Sequence, residues 1–243
     1  MTSRMDDPMP SIASNMLLGP YLALQQAQQP ESAERYLQRL DHLARCDERS
    51  TDSAIKDKSC WMEADLPAVV LCYRLRVSDK PVLEQLTRLL ETIAQWSGPR
   101  NVCASSAQLL GLWLDKFLRR DEAVPPSQEH KLKIMRLSTF EARCLGRLVP
   151  NVTDWLKAHN AGGSPDSERL SGMNSVLQAL SAFRQSRDFA QGVEWLMSHG
   201  FGDEMAVLLY GALAGCFYPL DSSQGKAKID DVCKEGFACS GCG

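Results

Sequence analysis

Apolar side chains recur at spacings of three and four along most of the chain, the period of a helix with one buried face. Over 15–29 that face holds Met16, Leu17, Leu18, Tyr21, Leu22 and Leu24. Pro30-Glu31-Ser32 interrupts the pattern, and 33–45 resumes it with Tyr36, Leu37, Leu40 and Leu43. Residues 46–58 are polar and read as a loop. A third helix is predicted over 62–75, with Pro67 near its start, where proline is tolerated. A fourth opens at Asp79-Lys80-Pro81, runs through Leu83, Leu86, Leu89, Leu90 and Ile93, and stops by Gly98-Pro99. The run 104–118 is strongly apolar with helical period, through Ala107, Leu110, Gly111, Leu114 and Phe117.

In the second half, Pro125-Pro126 marks a linker over 121–129, followed by a basic helix over 132–148 and a short one over 152–158. Gly162-Gly163-Ser164-Pro165 sits in a loop over 160–168. Helices follow over 172–183 and 187–197, then the glycine-rich turn His199-Gly200-Phe201-Gly202. The last helix, 203–218, is nearly all apolar and is closed by Pro219. No window alternates β-branched and polar residues, so strands are not expected. The prediction is an all-α chain of nine or ten helices. It forms a single multi-helix globular domain over 14–222, between a flexible N-terminus over 1–13 and a Cys-rich tail over 223–243. No internal repeat has a fixed period.

Charge and cysteines narrow the setting. Lys plus Arg number 27 against 30 Asp plus Glu, a net −3 spread evenly, which argues against a protein built to hold nucleic acid. No run of about 18 apolar residues is present, so no membrane-spanning helix is expected. The first residues lack a basic stretch followed by an apolar run, so no secretory signal is expected either. Of nine cysteines, Cys46, Cys60, Cys72, Cys103, Cys144 and Cys216 are scattered singly through apolar or helical stretches. Free thiols of that kind belong to a reducing compartment, and a cytoplasmic protein is expected.

The end of the domain is less anonymous. Ser186-Arg187-Asp188-Phe189-Ala190-Gln191-Gly192-Val193-Glu194-Trp195-Leu196-Met197 leads into the glycine-rich turn and then Asp203-Glu204-Met205. Gly211-Ala212-Leu213-Ala214-Gly215 with Phe217-Tyr218 follows. Small residues on one helix let a neighbouring backbone approach closely. This stretch resembles the C-terminal signature of the ADP-ribosylglycohydrolase family, a helix, a GGDtDt turn and a GalaGayyG helix. Leu66-Pro67-Ala68-Val69-Val70-Leu71, with Ser59 and Met62 before it, resembles an upstream family helix, and Met16-Leu17-Leu18-Gly19 its opening one. The resemblance covers about residues 14–222 and implies an ADP-ribosylglycohydrolase-like fold.

It also implies a chemistry. Family enzymes cleave the glycosidic bond between ADP-ribose and a modified group, using two magnesium ions held by carboxylates and hydroxyls from a TDDt segment and the GGDtDt turn. Two close hard cations need several anionic oxygens. Here the first aspartate of the turn falls on Gly202, the second on Glu204 and the hydroxyl on Met205, with Asp203 at a threonine or alanine position. No TDD occurs. The nearest string is Ser50-Thr51-Asp52-Ser53, Pro20-Tyr21-Leu22-Ala23 replaces the glycine-aspartate region, and Pro219 replaces the closing glycine. The expectation is a member that has lost two-metal catalysis and serves as a binding or regulatory module, for an ADP-ribose-like ligand or a protein partner. The alternative is an active hydrolase with an altered magnesium site, with Asp203 and Glu204 catalytic and Gly200, Gly202, Asp52 and His199 binding the ligand.

A third reading drops the family and keeps a helical scaffold with a zinc-holding or redox tail. Cys233, Cys239 and Cys242 lie at x5 and x2 spacing, and His42 or Cys46 would be a fourth zinc ligand. The competing reading is a disordered tail with exposed thiols, whose reactivity Lys226, Lys228 and Lys234 would favour. His42, His130, His159 and His199 form no HxxxH or HExxH pattern, and no phosphate-binding glycine loop is present. Lys131, Lys133, Arg136, Arg143 and Arg147 are expected to form a solvated basic face.

Overall fold

The computed structural model describes residues 11–45, 101–121, 123–139, 141, 155–158, 175–220 and 227–232. Among these, every regular element is a helix. In chain order they are α1 (Ser11–Gln26), α2 (Pro30–Arg45), α3 (Asn101–Leu118), α4 (Gln128–Met135), α5 (Ser175–Gln185), α6 (Phe189–Ser198) and α7 (Glu204–Phe217). Short helical stretches at 155–158 and 227–232 pack beside them. The helices form a single globular all-α arrangement.

α7 explains the arrangement. Every residue from Ala206 to Phe217 is buried, and a helix that is apolar all round has to be covered on all sides. α1, α3, α5 and α6 cover it. The contact with α1 is the closest. A Cβ at Gly19 would stand 1.9 Å from the Gly211 carbonyl oxygen, and one at Gly215 would stand 2.1 Å from that of Asn15. The two helices therefore touch backbone to backbone, as the small residues of α7 imply. Around the far end of α7, Phe117, Phe183 and Phe217 meet edge to face with centroids 5.1 to 6.0 Å apart, a favoured aromatic geometry.

α1 begins at Ser11, ahead of the predicted 15, because Ile12 and Ala13 extend its buried face by one turn. It ends in a left-handed residue, Gln28 at φ 59. The Gln29 N–H reaches back to the Leu24 carbonyl and the Gln28 N–H to that of Gln25, which satisfies carbonyls left free at the helix end. Pro30 then opens α2. Tyr36 pins the pair together, donating to the Leu17 carbonyl at 2.7 Å.

Three expectations are corrected. The linker over 121–129 is shorter than predicted, because Ser127 caps α4 by accepting the His130 N–H, and the helix starts at Gln128. The basic helix does not continue from 132 to 148. It stops at Met135, with Arg136 extended. Lys131 is not part of a solvated face but fully buried. At the other end of the chain, Ile229 is buried in the core and Lys228 pairs with Glu34 at 2.6 Å. No helix among the described residues is long and apolar enough to cross a membrane.

Candidate functional site

The glycine-rich turn between α6 and α7 is built by helix termination. Gly200 adopts φ +73, the Gly200 N–H bonds back to the Met197 carbonyl, and the Phe201 N–H to that of Leu196 at 2.9 Å. Nothing lies within 4 Å of where a Gly200 Cβ would be. Glycine is needed there for the left-handed backbone, not for room. A Cβ at Gly202 would meet the Met197 sulfur at 2.5 Å, the end of a flexible side chain. The Gly202 carbonyl accepts from Gln29 Nε2 at 2.7 Å, which ties the turn to the end of α1.

Asp203 is the N-cap of α7. Its Oδ1 accepts the Ala206 N–H at 3.0 Å and faces the Ser175 hydroxyl at 3.3 Å. Four N–H groups at a helix start lack intrahelical partners, and a carboxylate both bonds one and complements the helix dipole. Glu204, one residue on, turns toward α2. Its Oε2 accepts from Ser32 Oγ at 2.9 Å and from Arg35 at 2.7 Å, and Arg39 stands 3.6 Å from Oε1. Arg35 also donates to Ser32 Oγ at 2.9 Å, so the three groups form one network.

His199 packs rather than reaches. Its ring stacks on Trp195 at 4.2 Å between centroids, and Nδ1 lies 2.8 Å from the Trp195 carbonyl. The structure thus brings Gly200, Gly202, Asp203, Glu204 and His199 to one end of α7. Asp52, Cys233, Cys239 and Cys242 lie outside the described residues, as does the side chain of His42. Nothing in the sequence marks Ser32, Arg35 and Arg39 as partners of the turn. Their spacing of three and four on α2 puts them on one face, yet only the fold carries that face to Glu204.

A magnesium pair does not fit the described side chains at this turn. Glu204 is already neutralised by guanidinium groups, Asp203 is committed to its helix, and Met205 offers only a thioether, a poor partner for a hard cation. Among the described residues no three His, Cys, Asp or Glu side chains are grouped to hold a metal ion. The chain matches no known protein-family model, no curated protein and no solved structure.

Proposed function

We propose that this chain is a cytoplasmic binding or regulatory module with an ADP-ribosylglycohydrolase-like helical architecture, without that family's two-metal hydrolysis. Its ligand is an ADP-ribose-like molecule or a protein partner. The observation that carries the reading is the state of Glu204. In a two-metal site a carboxylate at this turn would face divalent cations, whereas here Arg35 and Arg39 supply the positive charge. Replacing a cation by a permanent guanidinium keeps the local charge balance while removing the Lewis acid that the reaction needs. The buried free thiol of Cys216 supports the reducing setting.

The test is to incubate the protein with arginine-ADP-ribosylated substrate and magnesium, and to titrate magnesium and ADP-ribose by calorimetry. No magnesium-dependent release of ADP-ribose is expected. Binding of ADP-ribose in the presence of a chelator would mark the small-molecule branch of the proposal, and its absence the protein-partner branch. Magnesium-dependent turnover that disappears in Asp203→Ala or Glu204→Ala would overturn it.

A further inference from the structure

The connection between α3 and α4 stands out from the surface. Ala123, Val124, Pro125, Pro126 and Ser127 are all exposed. Val124, at 39%, and Met197 are the large apolar residues left exposed among the described ones. Both ends of the connection are fastened. At the front, the Ala123 N–H donates to Asp121 Oδ1 at 2.9 Å and the Val124 N–H to the Asp121 carbonyl at 3.2 Å. At the back, Ser127 Oγ accepts the His130 N–H at 3.1 Å, and the Ser127 carbonyl accepts the Lys131 N–H at 2.9 Å.

Between these anchors the backbone has little freedom. Proline fixes its own φ at about −65° and keeps the residue before it extended. Val124 and Pro125 each precede a proline, both bonds to proline are trans, and Ser127 is extended at φ −141, ψ 157. Residues 124–127 therefore run as one turn of polyproline II, rising about 3 Å per residue. The prolines carry no N–H, and the carbonyls of Val124, Pro125 and Pro126 accept no hydrogen bond among the described residues. The cations on either side are already committed to the carbonyl ends of α7 and α5. Arg120 donates to the Cys216 carbonyl at 3.1 Å, and Lys131 to those of Phe183 and Ser186. The exposed charges that flank the segment are acidic, Asp121 and Glu129.

We propose that Val124-Pro125-Pro126 is a ligand for a protein module of the WW type, whose groove is walled by aromatic rings and reads polyproline II. Such grooves take proline rings against aromatic faces, and a segment already held in its bound shape loses little ordering entropy on docking. An apolar residue followed by two prolines fills one groove of this kind. The outward carbonyls meet the indole N–H and phenol O–H groups that edge it. Modules that require P-x-x-P find no such repeat over 121–129. The acidic flanks call for a basic rim on the partner. This surface lies on a different connection from the turn at Asp203 and goes beyond the reading given for that turn. Neither the magnesium nor the ADP-ribose titration bears on it.

The test is a nuclear magnetic resonance titration of a purified, isotope-labelled WW domain with the unlabelled full chain. A saturable shift of the indole N–H of the groove tryptophan is expected, and none once that tryptophan of the probe is replaced by alanine. Pro125→Ala and Pro126→Ala should each weaken binding about tenfold, the loss of one interface anchor. Neither removes a hydrogen bond, so Tm should hold. Met197→Ala, at the other exposed apolar side chain, should leave binding unchanged. Should a proline variant unfold, Val124→Ser decides in its place, since it keeps both prolines and the backbone shape while removing the apolar contact, and it should weaken binding. No saturable shift at about 1 mM chain overturns the inference. So does binding that survives these substitutions, or an equal loss in Met197→Ala.

Discussion

Lys131 shows what one residue gains and loses by position. Read along the chain it belongs to a basic stretch, and nothing local says that it is buried. The fold places it beneath α5 and α7, where desolvation lowers its pKa from 10.5 to about 7. The unfolded chain therefore binds more protons than the folded one between these values, so stability rises with pH across that window. From pH 7 to about 8.5 the gain is on the order of 1–2 kcal/mol. Higher up it is opposed. Burial raises the Cys216 thiol, and Tyr218 is pushed up to about 12, so the unfolded state ionises first and stability falls. Urea unfolding across pH 7 to 8.5 should show the rise, and Lys131→Met should flatten it. Asp203 is a milder case. Asp203→Ala should cost about 1 kcal/mol through loss of the cap, measured by the same unfolding. Glu204→Gln should cost less than about 1 kcal/mol, because Glu204 and its arginines are partly exposed to solvent.

Among the elements, α7 was legible almost residue by residue, since a long apolar run bounded by Asp203 and Pro219 admits few other readings. α4 was not. Pro125-Pro126 masked its start, and the cap at Ser127 shows only once the backbone turns there. The small residues of α7 pointed to a close neighbour without naming it, and α1 proves to be that neighbour. Gly211→Ala should be severely destabilising, by more than about 3 kcal/mol. Its Cβ would lie 2.5 Å from the Gly19 carbonyl oxygen, against a helix-propensity gain of only about 1 kcal/mol. The mirror experiment is at Gln28, left-handed and exposed at the end of α1. Gln28→Gly should raise stability by up to about 1 kcal/mol, because glycine adopts that backbone without a Cβ penalty. A loss of stability there would show that the Gln28 side chain matters more than its φ.

At the scale of the molecule, α7 acts as an axle with a different chemistry at each end. The carboxylates of one end stand together in the sequence as Asp203-Glu204 after a glycine-rich turn, but the arginines that neutralise Glu204 lie on α2, 169 positions away in the case of Arg35. The cationic end is not legible as a cluster, because Arg120 follows α3, Lys131 lies on α4 and Arg184 on α5, and only packing makes them neighbours. The glycine contact between α1 and α7 has a temporal side as well. Its partners, Gly19 and Gly211, are separated by most of the chain. α1 emerges from a ribosome before α7, the helix that covers its glycine face. At about 5–20 residues per second, it waits roughly 10–40 s for α7 to be made. Until then it has no native partner for its glycine face. The closing of the core is therefore a late event, and the nascent chain is a client for anything that shields apolar helices.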